Sequence, residues 1–138
     1  MGAALEKFVV PLESVSLADL PQVGGKNASL GELLRHLASS GVRCVGGFAT
    51  NVAAYRAFLD ANALEPEIAA LIERYLAGQL PLAGAGSQIR ARMLRAKLPD
   101  EVASAVKAAY RHLRAGRSAL EVAVRSCHPQ DARSVQAR

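Results

Sequence analysis

Residues 23–32 read Val23-Gly24-Gly25-Lys26-Asn27-Ala28-Ser29-Leu30-Gly31-Glu32, in which two glycines precede a lysine and the start of an apolar pattern. Leucines then recur at positions 30, 33, 34 and 37, which is the spacing of one helix face. The stretch therefore predicts a glycine loop that leads into the N-terminus of a helix, with a cation at the junction. Glycine lets the backbone approach a ligand closely, and a helix N-terminus offers unpaired N–H groups to an anion such as phosphate.

Two interpretations of this loop follow from the residues alone. In one, Gly24, Gly25 and Lys26 form a phosphate site. In the other, the glycines form a simple turn and Lys26 is solvated in the first turn of the helix. The Gly-x-x-x-x-Gly-Lys-Ser/Thr spacing of a Walker loop is absent, so the residues alone leave both interpretations open.

A second cation, Arg125, follows the strand-like run Leu120 to Val124. A guanidinium at a strand end can form paired hydrogen bonds with phosphate oxygens, and a lysine at a helix start supplies a point charge. If the sheet brings these two ends together, Lys26 and Arg125 would clamp a polyphosphate. The alternative for Arg125 is a surface ion pair.

The composition is that of one globular domain. The chain has 138 residues, 51% of them hydrophobic and only 4% aromatic, so the core is expected to be aliphatic. The net charge of +5 and the pI near 9.7 fit nucleotide or phosphate partners. The arginines are spread over several predicted helices without an aromatic platform, so no specific nucleic-acid partner is predicted.

The cysteines and the apolar runs indicate a cytoplasmic protein. Cys44 and Cys127 lie far apart and resemble neither a disulfide framework nor a metal pair. The N-terminus lacks the pattern of a signal peptide, and no run approaches the roughly 18 apolar residues of a membrane span. His36 and His112 are predicted to face solvent, and Cys127 is adjacent to His128. No metal site and no catalytic residue is therefore predicted.

The order of elements predicts an α+β fold. Short strands are expected near residues 8–12, 42–49 and 120–125, with about five helices among them. Thr50 is the predicted N-cap of the second helix, and Gly78 to Gly86 is a predicted break between helices. The helices are predicted at 26–40, from Thr50 to 61, from Glu65-Pro66 onward, at 87–97, and from Pro99-Asp100 to Gly116.

Four motifs together resemble the N-terminal part of the phosphoenolpyruvate synthase family (pyruvate, water dikinases) and, more distantly, pyruvate phosphate dikinase. The resemblance covers about residues 5–126, and the order and spacing of the motifs make the combination specific. The motifs are Val23 to Glu32, Gly41-Val-Arg, Gly46-Gly-Phe-Ala-Thr50 and Val122-Ala-Val-Arg-Ser126.

The resemblance implies a partial ATP-grasp-like subdomain that binds ATP with Mg²⁺. In the family, a phosphoryl group passes to a histidine on a separate domain and then to pyruvate, giving phosphoenolpyruvate, AMP and phosphate, a reaction of pyruvate metabolism and gluconeogenesis. The chain would thus be part of a kinase-type transferase. The nucleotide-binding residues that the resemblance implies are Lys26 and Arg125, and we expect Gly24, Gly25 and Asn27 to belong to the same site.

The sequence departs from the family pattern at two places. Val45 stands where the family normally has proline before Gly-Gly-Phe, and Cys127-His128-Pro129-Gln130 replaces the usual continuation. We therefore expect residues 1–126 to form a partial ATP-binding domain and residues 127–138 an irregular tail with a truncated or frameshifted end. The phosphohistidine, the pyruvate site and the magnesium ligands are not found in the sequence, so the isolated chain is not expected to turn over pyruvate.

Two other classes of function compete with this one. The chain could be a noncatalytic helical interaction module that docks on a full-length relative or self-associates through exposed apolar surface. It could also be a nonspecific basic nucleic-acid binder, which a steep salt dependence of DNA affinity would reveal.

Overall fold

The computed structural model describes residues 7–42, 44, 46–116, 118 and 120–126. These residues form two compact units. The first unit comprises the chain up to Tyr55 and from Glu101 onward, and the second comprises Arg56–Asp100. The predicted irregular tail, residues 127–138, lies outside the described residues.

The fold is α+β, as predicted. Five helices of ten or more residues confirm the predicted number, and a one-turn helix precedes them. Two 3-10 turns, Leu12–Ser14 and Leu17–Asp19, lie near the start of the chain. The strands are β1 (Val9–Pro11) and β2 (Phe48–Thr50), and the helices are α1 (Leu20–Val23), α2 (Gly25–Ser39), α3 (Val52–Ala61), α4 (Leu64–Leu76), α5 (Leu82–Arg95) and α6 (Asp100–Arg114).

The small sheet pairs β1 with β2 in an antiparallel register, with Val9 opposite Thr50 and Pro11 opposite Phe48. Leu12 N–H donates to the Gly47 carbonyl at 3.0 Å and extends the pairing by one residue. The strand predicted near residues 8–12 is present as β1, and its last residue, Pro11, has no N–H to donate to the ladder. Among the described residues of the predicted strand 42–49, only Phe48 and Ala49 lie in a strand, β2.

The predicted strand at 120–125 is not formed. Residues 120–126 have no regular secondary structure, and the side chains from Glu121 onward are exposed, with Val124 at 92%. An alternating apolar run becomes a strand only where a partner strand and a packing face are available. The sheet of the described residues contains β1 and β2 only, so this run lacks such a partner.

Two predicted helix boundaries are also wrong. Thr50 belongs to β2, and Asn51 caps α3 instead, because its Oδ1 accepts the Ala54 N–H at 3.1 Å. The Asn51 amide also donates to the Lys7 carbonyl at 3.0 Å, which ties the cap to the start of the described chain.

Helix α5 begins at Leu82, so two glycines of the predicted 78–86 break, Gly84 and Gly86, lie inside a helix. Pro81 sets the start of the helix at its N-cap position. Ala85, which lies between the two glycines, is buried, with only 4% of its surface exposed. This packing offsets the helix penalty of about 1 kcal/mol for each glycine.

The core of the first unit forms where α2 lies on the 3-10 turns. Its central members are aliphatic, as the composition predicts. Gly31 of α2 faces the carbonyls of Leu12 and Val15, and a Cβ placed there would lie only 2.8 Å from Leu12 O. This close approach holds the start of α2 against the chain that precedes it. The buried cluster consists of Leu12, Val15, Val23, Ala28, Leu34 and Ala49.

The second unit is held mainly by α4 and α5. Glu67 Oε2 accepts from Arg92 Nε at 2.6 Å across the two helices. Asn62 closes the other end of the unit through two hydrogen bonds to Lys97. Its side-chain amide donates to the Lys97 carbonyl, and its Oδ1 accepts the Lys97 N–H. Leu71 of α4 is buried, whereas its neighbour Ile72 is 44% exposed.

Candidate functional site

The glycine motif forms the turn between α1 and α2. Gly24 has φ +79° and ψ 161°, a conformation that side chains with a Cβ rarely adopt. Its N–H donates to the Leu20 carbonyl at 2.9 Å and closes α1. Gly25 is the first residue of α2. The predicted glycine loop leading into a helix is therefore present, and Gly24 is the glycine that its backbone requires.

The N-terminus of α2 presents unpaired donors. The first main-chain bond of the helix runs from Ala28 N–H to Gly24 O at 3.0 Å. The N–H groups of Gly25, Lys26 and Asn27 precede this bond, so they have no acceptor within the helix. The Lys26 side chain is exposed in the same turn. Three N–H groups and an ammonium thus belong to the positive end of a helix of 15 residues.

Other residues of the motif serve packing. The Asn27 side chain is half-buried, and its amide donates to the Val23 carbonyl at 2.8 Å, which braces the junction of α1 and α2. Ala28 is completely buried, and Gly31 permits the close approach of the 3-10 turn. Sequence reasoning missed both the bracing role of Asn27 and the packing role of Ala28 and Gly31. The signal for the packing role is the spacing of small residues at 28 and 31, which lie on one face of the helix.

A capping box fixes the chain just before this junction. The Ser16 N–H and hydroxyl donate to Asp19 Oδ2 at 2.8 and 2.9 Å, and the Ala18 N–H donates to Ser16 Oγ. The Ser16 N–H and then its hydroxyl lower the pKa of the Asp19 carboxyl below its ordinary value, with a smaller lowering by Arg35, and they outweigh the opposing desolvation. Asp19 therefore closes the capping box of the 3-10 turn Leu17–Asp19.

This box gives an expected pH dependence. Because the folded-state pKa of Asp19 is lower than the unfolded one, the box stabilises the fold fully above the ordinary value of 3.8 and loses that contribution as the pH falls through the folded-state value. A carboxyl carbon NMR titration should give Asp19 a pKa below 3.8. In Ser16→Ala the value should return partway, because the main-chain N–H still donates. An Asp19 that titrates at its ordinary value in the wild type would contradict the box.

Arg125 lies in the exposed segment 120–126 and belongs to the first unit, as Lys26 does. None of the ion pairs that the described residues form includes Lys26 or Arg125. The structure records no contact between these two side chains within the described ranges. Their convergence on one phosphate chain stays a prediction.

An open cavity lies in the second unit. It has a volume of about 350 Å³, is open to solvent and contains none of the predicted site residues. Its lining residues are Asn62, Leu64, Glu67, Arg92, Arg95 and Ala96.

Two histidines, His36 and His112, belong to the part of the chain that the structure describes. His36 is 77% exposed at its side chain, with Nε2 3.6 Å from Glu32 Oε1, and His112 is exposed, as the sequence predicts. Across the residues that the structure describes, no three His, Cys, Asp or Glu side chains converge in a way that could hold a metal ion. The same residues include no helix long and apolar enough to cross a bilayer.

Comparison with known proteins identifies the class. Residues 20–135 match the family described as pyruvate phosphate dikinase, AMP/ATP-binding domain. The match covers most of the chain and includes the α1–α2 junction, so the chain belongs to this family of nucleotide-binding domains.

Individual relatives narrow the resemblance to phosphoenolpyruvate synthases. The chain is 40% identical over 121 residues to the phosphoenolpyruvate synthase of Pseudomonas aeruginosa. The aligned residues cover 87% of this chain and 15% of the relative. It is 36% identical over 120 residues to the phosphoenolpyruvate synthase of Escherichia coli, covering 86% and 15%. A rifampicin phosphotransferase of Streptomyces is 40% identical over 112 residues, covering 75% and 12%. The predicted resemblance is confirmed, and the chain spans about 15% of the length of these synthases.

Proposed function

We propose that this chain is the ATP-binding portion of a phosphoenolpyruvate synthase, an enzyme that converts ATP, pyruvate and water to phosphoenolpyruvate, AMP and phosphate. The observation that carries the proposal is the exposed Lys26 in the first turn of α2, beside N–H groups without helical acceptors, in a chain of the AMP/ATP-binding family. A polyphosphate carries the charge that such a helix end attracts.

Each site residue has a distinct part in this proposal. Gly24 shapes the turn and leaves space beside the helix end, since it has no side chain. The N–H groups of Gly25, Lys26 and Asn27 donate to phosphate oxygens, and the Lys26 ammonium adds a full charge. The Asn27 side chain braces the turn through the Val23 carbonyl. Arg125 supplies a second cation from the 120–126 segment.

Magnesium belongs to the family's chemistry, and we assign it no ligand among the described residues. The described residues hold no converging group of three carboxylates, histidines or cysteines, so we assign these residues only the binding and orientation of the phosphates. The relatives are several times longer than this chain. We therefore propose that transfer to a histidine and to pyruvate takes place on other parts of the enzyme. An ATP-grasp ancestry, a cytoplasmic location and a role in gluconeogenesis belong to the same proposal.

A titration followed by amide NMR tests the site directly. With ATP, and equally with inorganic tripolyphosphate, we expect the amide signals of Gly24 to Ser29 and of Arg125 to shift along one saturation curve. Adenosine without phosphates is the control and should leave the Gly25, Lys26 and Asn27 signals in place. Shifts confined to the second unit would show that the phosphates bind elsewhere and would end the proposal.

One observation favours the second candidate, an interaction module. Several leucines of the second unit are exposed, with Leu94 at 86%, Leu76 at 75% and Leu82 at 66%. Such side chains are typical of surfaces that bind another protein chain. A sedimentation coefficient that rises with protein concentration, together with no response to tripolyphosphate, would favour self-association over nucleotide binding.

A further inference from the structure

A side-chain hydrogen bond joins α6 to the segment that carries Arg125. Residues 120–126 have no regular secondary structure, yet the Tyr110 hydroxyl donates to the Leu120 carbonyl at 2.8 Å. We propose that Tyr110 is a positioning residue for Arg125, which holds the start of the segment so that the guanidinium stays within reach of the bound phosphates. This inference rests on the proposed nucleotide site.

Tyr110 is well placed to act as a fixed point. Its neighbour Ala109 is only 5% exposed. Ala109 lies on the buried face of α6 together with Val102 and Ala105. Tyr110 itself is half-buried at the edge of that face. A tyrosine side chain has only two main torsions, so its hydroxyl is held at a low cost in conformational entropy.

Leu120 is the last attached residue of the described segment. It is half-buried, whereas every residue from Glu121 to Ser126 is exposed. A second hydrogen bond from α6 reaches Ser118, which precedes the segment: Arg114 Nη1 lies 3.5 Å from Ser118 O, at the limit of a hydrogen bond. Of these two hydrogen bonds between α6 and the described residues that lead to Arg125, the Tyr110–Leu120 bond is the shorter, and it lies nearer to Arg125.

The size of the effect follows from the length of the tether. Arg125 is five residues beyond Leu120 but eleven beyond Arg114, the end of α6. The effective concentration of a tethered group falls roughly as the −3/2 power of tether length. Loss of the anchor should therefore weaken ATP binding about threefold.

A double-mutant cycle on the full chain separates positioning from general stability. Tyr110→Phe removes only the hydroxyl and should weaken ATP binding about threefold. Tyr55→Phe makes the same change at a 49% exposed tyrosine of the first unit and should leave affinity unchanged. Adding Tyr110→Phe to Arg125→Ala should cost nothing further, whereas adding it to Lys26→Ala should cost the same factor again. An equal loss in all backgrounds would show a merely structural role and overturn the proposal.

A second measurement distinguishes failure of the anchor from failure of the nucleotide site. Without nucleotide, the heteronuclear NOE of the Leu120 to Arg125 amides should fall in Tyr110→Phe and stay unchanged in Tyr55→Phe. An unchanged NOE in Tyr110→Phe would overturn the anchor. If the NOE falls but Arg125→Ala binds ATP as the wild type does, Arg125 does not contact the nucleotide and the positioning role of Tyr110 is overturned. The ATP affinity of Lys26→Ala then decides separately whether the nucleotide binds at Lys26.

Discussion

Replacement of Gly31 with alanine is expected to lower the free energy of unfolding by about 3 kcal/mol, the upper part of the range for overpacked sites. In an isolated helix the same change would add about 1 kcal/mol of stability, because alanine favours helix over glycine. Here the new Cβ would lie 2.8 Å from Leu12 O and closer still to Val15 O. Both are main-chain atoms of a tight turn and cannot rotate away, so the steric cost exceeds the gain in helix propensity.

Urea unfolding followed by circular dichroism measures this loss. Ser29→Ala is the matched control, because Ser29 is exposed on the same helix and its replacement should change stability by less than about 0.5 kcal/mol. A Gly31→Ala variant as stable as the wild type would show that α2 does not pack this closely on the 3-10 turn. The site would then lose the contact that fixes its helix.

Replacement of Lys26 with alanine is expected to weaken ATP binding at least about tenfold. A hydrogen bond to a charged group is worth roughly 1.5–3 kcal/mol, and we take the lower end because Lys26 is exposed and screened by water. The loss should be smaller for AMP, which has one phosphate near the helix end instead of three. Isothermal titration calorimetry with both nucleotides gives the two affinities.

Lys107→Ala is the control for this variant. Lys107 is an exposed lysine of α6 in the same unit, so the control removes the same net charge without touching the helix end. We expect it to bind ATP nearly as the wild type does. Equal affinities for the two lysine variants would mean that ATP responds only to the overall charge, and the Lys26 site would be abandoned.

Local sequence signals predicted the start of α2 well. Two glycines before a helical leucine pattern are enough to place the junction, and the structure has α2 at Gly25–Ser39 against a predicted 26–40. The strand ending at Pro11 was predicted for a similar reason, since proline acts through its own covalent geometry. In both cases the deciding interaction lies within a few residues of the chain.

The errors arose where distant contacts decide the structure. The run 120–125 has a strand-like pattern but no partner strand among the described residues, and the glycines of α5 are kept helical by packing around Ala85. The cap of α3 moved from Thr50 to Asn51 because the sheet includes Thr50. None of these contacts can be read from a local window of sequence.

The candidate site was predictable to different degrees. The helix end with Lys26 follows from neighbouring residues, and the structure places that lysine on the surface as expected. The position of Arg125 depends on a segment held by tertiary contacts such as the Tyr110–Leu120 bond. The packing role of Asn27 required the observed carbonyl of Val23, because a sequence alone does not show which groups an amide meets.

The division of the chain into units has a consequence for synthesis on the ribosome. The first unit joins the chain before residue 56 to the chain after residue 100, and its Lys7–Glu101 ion pair spans 94 positions. The second unit is continuous and can begin to fold as soon as it has emerged. At roughly 5–20 residues per second, the early part of the first unit waits for several seconds before its completing helix is made. During that interval the early part of the first unit already has its cluster of residues 12–49 but lacks the buried face of α6, which consists of Val102, Ala105 and Ala109, so the unit stays incomplete until α6 has emerged.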